Sequence, residues 1–139
     1  FVDLLRHLTG APIVRTHAVA LGRNPALAVR DDKSTLTLEF GDGSVGTIHY
    51  LANGDKGFPK ERLEVFSSGR ILALDNFRKL TGFGWPGFRK MNLWRQDKGQ
   101  KQCAAAFVRA IQQGGPPPIP LDELLEVGHV TLAASEALR

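Results

Sequence analysis

Residues 35–40 (TLTLEF) alternate strictly between polar and apolar side chains, a pattern that suits a β-strand with one buried face. The alternation places Leu36, Leu38 and Phe40 on the same face. Residues 41–44 (GDGS) follow, and an Asp-Gly pair tolerates the positive φ angles of a tight hairpin. Residues 45–52 then return as a second strand. The sequence therefore predicts a β-hairpin whose first strand has one apolar face.

The rest of the chain supplies further strands and three helices. Helices are predicted at residues 1–9, 100–113 and 122–138, strands at 13–21, 61–66 and 71–74, one or two short strands within 75–95, and loops at 22–33 and 53–59. The strand connections are too short for parallel crossovers, so we expect an antiparallel meander. The predicted fold class is α+β, with a mainly antiparallel open sheet and helices packed on one face.

The second predicted helix has a clear apolar face, formed by Ala104, Phe107, Val108 and Ile111. Cys103 lies beside this face and is predicted to be a buried structural thiol. Because it is the only cysteine, no intrachain disulfide can form.

Length and composition favour one globular domain over residues 1–139. No apolar run approaches the roughly 20 residues that span a bilayer. The start has neither a methionine nor a signal-peptide pattern, and it resembles an amphipathic helix entered partway. We therefore expect a cytoplasmic domain that is a piece of a longer chain.

Positive charge is concentrated in the middle of the chain. Residues 55–101 carry 11 Lys/Arg and 5 Asp/Glu, whereas the whole chain has a net charge of +4. Residues 77–95 interleave aromatic rings with cations, as do proteins that stack bases and hold phosphates. An RNP-type aromatic motif is missing. We expect the aromatics to pack inward, and a nucleic-acid-binding or assembly module remains the alternative.

Residues 82–87 (GFGWPG) match the dinucleotide-binding pattern G-x-G-x-x-G. That pattern requires a helix N-terminus behind it, and here Pro86 removes a donor while no helix is predicted to follow. We predict an aromatic-lined bend and no cofactor-binding residues. The four histidines, His7, His17, His49 and His129, stand apart from other ligand types, so no metal site is predicted.

The order and spacing of several segments resemble the C-terminal domain of the Gfo/Idh/MocA oxidoreductases, in the inositol-dehydrogenase-like or bi-domain branch. Residues 1–10 (FVDLLRHLTG) are similar to the helix that opens that domain. The other similar segments are residues 36–48 (LTLEFGDGSVGTI), 52–62 (ANGDKGFPKER), 59–66 (PKERLEVF), 69–70 and 114–138. The resemblance covers essentially the whole chain.

The resemblance implies a two-domain enzyme in which a Rossmann domain holds NAD or NADP. Sugar or cyclitol substrates would bind between that domain and this one. The remaining sheet face would form a homodimer or a larger homo-oligomer. The implied role of this chain is the substrate-binding and oligomerisation domain of an NAD(P)-dependent dehydrogenase.

The departures from the family pattern concern catalysis. The chain contains no Glu-Lys-Pro motif with its catalytic lysine. The family's histidine stands three residues before the aspartate that matches Asp3, which is one residue before Phe1. We therefore assign no catalytic residue and expect no dehydrogenase turnover from this chain alone.

The resemblance places substrate contacts just after the strand that ends at Ala52. Asn53 offers amide donors and an acceptor, Lys56 a cation and Phe58 a ring face for a sugar. An equally simple interpretation is that Asn53 and Gly54 only form a turn. For assembly, we expect a homodimer through the open sheet face, which carries either Thr35, Thr37 and Glu39 or Leu36, Leu38 and Phe40.

Overall fold

The computed structural model describes residues 1–22 and 32–138. The chain forms two compact units, Phe1–Gly54 with Gly114–Arg139, and Asp55–Gln113. Most of the loop predicted at residues 22–33 lies outside the described residues. No helix in the described parts is long and apolar enough to cross a membrane.

The first unit is a three-stranded antiparallel sheet with two helices. Its elements are α1 (Val2–Thr9), β1 (Ile13–Ala20), β2 (Lys33–Phe40), β3 (Val45–Leu51) and the last helix of the chain, α3 (Leu121–Ala137). The strand order is β1-β2-β3. Gly10 ends α1 in the left-handed region, and its N–H donates to the carbonyl of Arg6 at 3.0 Å.

The core of this unit lies between the sheet and the two helices. Leu38 and Phe40 are buried, and Val2 from α1 belongs to the same cluster. Val127 and Val130 of α3 pack against it. The strand predicted at residues 35–40 is confirmed, and of the two faces that the sequence left open, the one with Leu38 and Phe40 is covered. Thr35, Thr37 and Glu39 occupy the opposite face, because successive side chains of a strand alternate.

The second unit is a four-stranded antiparallel sheet followed by one helix. Its elements are β4 (Arg62–Ser67), β5 (Arg70–Asp75), β6 (Lys79–Phe83), β7 (Lys90–Asn92) and α2 (Gln100–Gln113), with strand order β4-β5-β6-β7. The register places Leu63, Val65, Leu72, Leu74 and Leu80 on one face. These side chains are only half-buried, and no described residue of this unit is fully buried.

The α+β class, the three helices and the antiparallel pairing are confirmed. The meander is interrupted, however, since β3 and β4 belong to different sheets. Ten residues that include Pro59 separate Leu51 from Arg62, and a link of that length does not impose the pairing that a two-residue hairpin does.

The prediction of a buried Cys103 is wrong, because the thiol is exposed. Phe107, Val108 and Ile111 on α2 are also exposed. In the described chain, no strand or helix of the second unit makes more than a marginal contact with α2. The amphipathic pattern predicted the helix correctly, but its apolar face has no cover within this unit.

Candidate functional site

The three predicted substrate residues lie in the link between β3 and β4. Asn53 belongs to the end of the first unit, whereas Lys56 and Phe58 belong to the second. All three side chains are exposed. The chain is anchored before Asn53 by the N–H of Ala52, which donates to the carbonyl of Asp32 at 3.0 Å.

Lys56 and Phe58 are brought together by one hydrogen-bonded turn. The carboxylate of Asp55 accepts the N–H of Gly57 at 2.7 Å, and its carbonyl accepts the N–H of Phe58 at 3.2 Å. This is an Asx turn, in which a short acidic side chain replaces a backbone acceptor. Asp55 thus forms the turn, which the sequence analysis missed. The sequence feature that could have indicated this turn is an Asp two residues before a Gly.

The turn presents a cation and a ring to solvent. Phe58 is 70% exposed, and no ion pair of Lys56 is found among the described residues. A ring face of this kind can pack on a sugar, and an ammonium group can donate to hydroxyl or carboxylate oxygens. The geometry therefore permits the predicted ligand chemistry at Lys56 and Phe58. The structure gives no hydrogen bond for the side chain of Asn53 in the described chain.

A clamp on α1 is the second feature that sequence analysis missed. The Nε atom of Arg6 donates to Oε2 of Glu126 at 3.2 Å, and Glu123 lies 3.9 Å from the same guanidinium. The other carboxylate oxygen of Glu126 accepts the N–H of Ile13 at the start of β1. The side chains of Arg6 and Glu126 are only 13% and 23% exposed. One carboxylate therefore fixes α1, α3 and β1 together, and α1 carries Asp3.

The glycines of residues 82–87 serve packing. A Cβ at Gly82 would lie 2.7 Å from the Phe88 ring and 3.2 Å from the Trp85 ring. The indole Nε1 of Trp85 donates to the carbonyl of Ile71 at 3.0 Å, and the Arg70 guanidinium lies 5.1 Å from the Trp85 ring centroid. The chain continues into β7 and not into a helix. The predicted aromatic bend is confirmed.

The histidines are dispersed. His49 faces Thr35 across the strand pair, with 3.0 Å between Nδ1 and the Thr35 hydroxyl. Among the described residues, no three His, Cys, Asp or Glu side chains converge on one point. A concavity of about 340 Å³ lies at the β4–β5 hairpin, lined by residues 66–71, and contains none of the predicted substrate residues.

Comparison with known sequences gives no family: no family model and no curated protein matches the chain. Comparison with solved structures is informative. UDP-N-acetylglucosamine 3-dehydrogenase from Acidithiobacillus ferrooxidans matches with a TM-score of 0.73 and 21% identity, over 99% of this chain and 45% of that one. An oxidoreductase from Agrobacterium radiobacter, solved with NAD⁺, L-tartaric acid and magnesium, matches with a TM-score of 0.76 and 16% identity, over 98% and 44%.

Aldose-aldose oxidoreductase from Caulobacter crescentus, solved with glycerol, matches with a TM-score of 0.70 and 19% identity, over 98% of this chain and 42% of that one. The present chain thus spans less than half the length of each of these enzymes, and identities at this level establish the fold alone. The chain has the fold of one portion of these oxidoreductases, as the resemblance of its sequence to the C-terminal domain of the Gfo/Idh/MocA family implies.

Proposed function

We propose that this chain is the C-terminal substrate-binding and oligomerisation domain of an NAD(P)-dependent sugar or cyclitol dehydrogenase and is not catalytically complete alone. The main support is that nearly the whole chain matches less than half of each oxidoreductase compared above. The sugar names of two of these enzymes and the NAD⁺ in a third make the substrate and cofactor classes reasonable.

In this proposal the nicotinamide chemistry belongs to another domain. When bound there, NAD or NADP would accept the hydride. This chain would contribute the turn at residues 55–58, which holds Lys56 and Phe58 toward solvent. Positioning groups of this kind lower a barrier by holding the reacting atoms in place.

Ligand binding to the isolated chain tests the substrate role of the turn. We expect saturation-transfer NMR to detect a sugar or cyclitol that binds at about millimolar Kd, since only part of the site is present. Lys56→Ala and Phe58→Ala should abolish the transfer while the melting temperature stays unchanged. Lys60→Ala is the matched control, because Lys60 is a nearby exposed cation outside the turn. If Lys56→Ala binds as well as wild type, the turn is not the site.

The proposed oligomer would use the outer face of the first sheet. Thr35 is opposite His49 on this face, and Thr37 is opposite Thr47. Arg15 and Glu39 form an ion pair there, with 3.1 Å between the nearest atoms. Because α1 and α3 pack on the Leu38 and Phe40 face, a second copy of the chain is a suitable cover for this outer face. An interface with these side chains would be polar and rich in water.

A further inference from the structure

Five exposed cations follow the edge of the second sheet. The strand order places β7 at that edge. Lys79 lies on β6 and Lys90 on β7, Arg78 and Arg89 directly precede these strands, and Arg95 follows β7 by three residues. We call these five residues together with Trp94 the basic edge. No Asp or Glu occurs from residue 76 to residue 96. None of the five cations forms an ion pair within the described chain, in contrast to Arg62 and Lys98.

The register brings two of these charges onto one face. Lys79 is opposite Asn92, and Thr81 is opposite Lys90. Lys79 and Lys90 are therefore diagonal neighbours, about 7–8 Å apart at the backbone. Because both side chains extend from the same face, one anion between them would be attracted by both ammonium groups.

Trp94 is 90% exposed and lies between Lys90 and Arg95 along the chain. Its backbone is nevertheless held on both sides. Before it, the N–H of Leu93 donates to the carbonyl of Arg78 at 2.8 Å, and Arg78 Nε donates back to the carbonyl of Leu93 at 3.1 Å. After it, the N–H of Asp97 donates to the carbonyl of Phe77 at 3.0 Å. The ring is presented to solvent by a fixed segment.

The turn that holds this segment is strained. Asn76 and Phe77 have φ angles of 52° and 47°, in the left-handed region that side-chain-bearing residues avoid. The carbonyl of Glu61 accepts the N–H of Asn76 at 2.6 Å, and the amide of Gln96 donates to the Asn76 side chain at 2.9 Å. Strained residues persist where their surroundings over-determine them, and they cluster at ligand sites.

Two simpler roles, protection of the sheet edge and contact with another protein, account for only part of the basic edge. Lysines on an edge strand prevent edge-to-edge aggregation, which would explain Lys90 but not an exposed Trp94. A protein interface buries about 800 Å² on each partner and is depleted of charged residues at its centre. The exposed Phe83, Met91 and Trp94 lie instead on a segment that carries five cations. Stacking on one ring combined with phosphate contacts to Lys and Arg is the chemistry of nucleotide binding.

We propose that the basic edge binds a nucleotide, with the base stacked on Trp94 and the phosphates held by the surrounding cations. The ligand could be a free nucleoside diphosphate or a residue of a single strand, since both offer a base and phosphates. This inference does not depend on the dehydrogenase role proposed above.

Fluorescence anisotropy with a fluorescein-labelled ten-residue oligothymidylate tests the proposal on the 139-residue chain. We expect binding that UDP or unlabelled oligothymidylate displaces and that quenches Trp94. Trp94→Ala should weaken the affinity about 10-fold or more, and Trp94→Phe much less, because a ring still stacks. Lys79→Gln and Lys90→Gln should each lower the slope of log affinity against log salt by about 0.7.

Phe66→Ala and Arg109→Gln are the matched controls, since each removes an exposed ring or cation outside the basic edge. If UDP at low concentration displaces the labelled probe, the ligand is a free nucleotide. If only unlabelled oligothymidylate displaces it, the ligand is a single strand. The proposal is overturned if Trp94→Ala binds like wild type, or if tripolyphosphate displaces as well as a nucleotide of equal charge. It is also overturned if Trp94 responds to phosphatidylserine vesicles but to neither nucleotide probe.

Discussion

At the scale of single residues, one carboxylate joins three elements of the first unit. Glu126 accepts hydrogen bonds from Arg6 and from the N–H of Ile13, and both partners are partly buried. A buried donor that loses its acceptor costs more than the hydrogen bond itself contributed. Glu126 is thus more important for stability than its place on helix α3 alone suggests.

Replacing Glu126 by Ala should therefore destabilise the chain by about 2 kcal/mol, because the Arg6 guanidinium and the Ile13 N–H both lose their acceptor. Urea unfolding followed by circular dichroism measures the change. Glu126→Gln should cost less, because its amide oxygen still accepts one hydrogen bond. Glu136→Ala, at an exposed position of the same helix, should change the free energy of unfolding by less than about 0.5 kcal/mol. Equal losses for Glu126→Ala and Glu136→Ala would refute the clamp.

Asp42 in the β2–β3 turn supplies a pH dependence. The backbone N–H of Ser44, and then its hydroxyl, donate to the carboxylate at 2.9 and 3.0 Å and hold the pKa of Asp42 below its ordinary value of 3.8. The lowered pKa means that the folded state favours the ionised form. Its stabilising contribution is present above the ordinary pKa and is lost as the pH falls through the lowered one.

We expect a carboxyl NMR titration to find the pKa of Asp42 below 3.8. Ser44→Ala should raise that pKa only part of the way, because the larger contribution, the backbone N–H, remains. An unchanged pKa in Ser44→Ala would show that the hydroxyl contributes nothing.

At the scale of elements, the β6–β7 connection shows glycine used for close packing. Gly84 has a φ of 72°, and a Cβ there would lie 2.9 Å from the carbonyl oxygen of Gly69. Gly87 has a similar φ of 74° but open space around it. A comparison of substitutions at the two positions therefore separates the cost of the left-handed backbone from the cost of the steric contact.

Gly84→Ala and Gly87→Ala should each cost about 1–2 kcal/mol for the left-handed conformation. Gly84→Ala should lose about 1–3 kcal/mol more, because a backbone carbonyl cannot move aside as a flexible side chain can. Parallel urea unfolding of the two variants measures the difference. Equal urea midpoints for the two variants would show that Gly84 does not lie as close to the Gly69 carbonyl oxygen as the structure has it.

At the scale of the whole molecule, the two units differ in how well they bury apolar surface. The first has a buried cluster that includes Leu38 and Phe40. The second has no fully buried described residue, and Phe107 and Ile111 on α2 face solvent. Such surface usually marks contact with another domain or another chain, which agrees with the role proposed for this chain.

We expect sedimentation equilibrium at micromolar concentration to give twice the monomer mass of 15.2 kDa. The proposed interface is the outer sheet face, which should bury about 1,200 Å² or more in total. Thr37→Arg, at the centre of that face, should dissociate the dimer through like-charge repulsion without unfolding it. Ser68→Arg, in the exposed β4–β5 turn, is the control. A wild-type mass near that of the monomer would refute the proposed dimer.

Much of this protein follows from local sequence. The alternation at residues 35–40 determines the strand and which of its side chains share a face, because a strand repeats every two residues. The Asp-Gly turn, the three helices and the bend at residues 82–87 are likewise determined by neighbouring residues. The substrate role of the turn after Ala52 came from the family resemblance and not from a local pattern, and it remains a proposal.

Which residues pack against each face of a strand or helix depends instead on contacts between distant parts of the chain. Arg6 and Glu126 are 120 residues apart, so no local pattern pairs them. The same apolar periodicity predicted a covered face for α2, yet that face is open, and the aromatic segment divides into the packed Trp85 and the exposed Trp94. The period of a sequence reports which side chains share a face, whereas their burial depends on which distant residues fold against it.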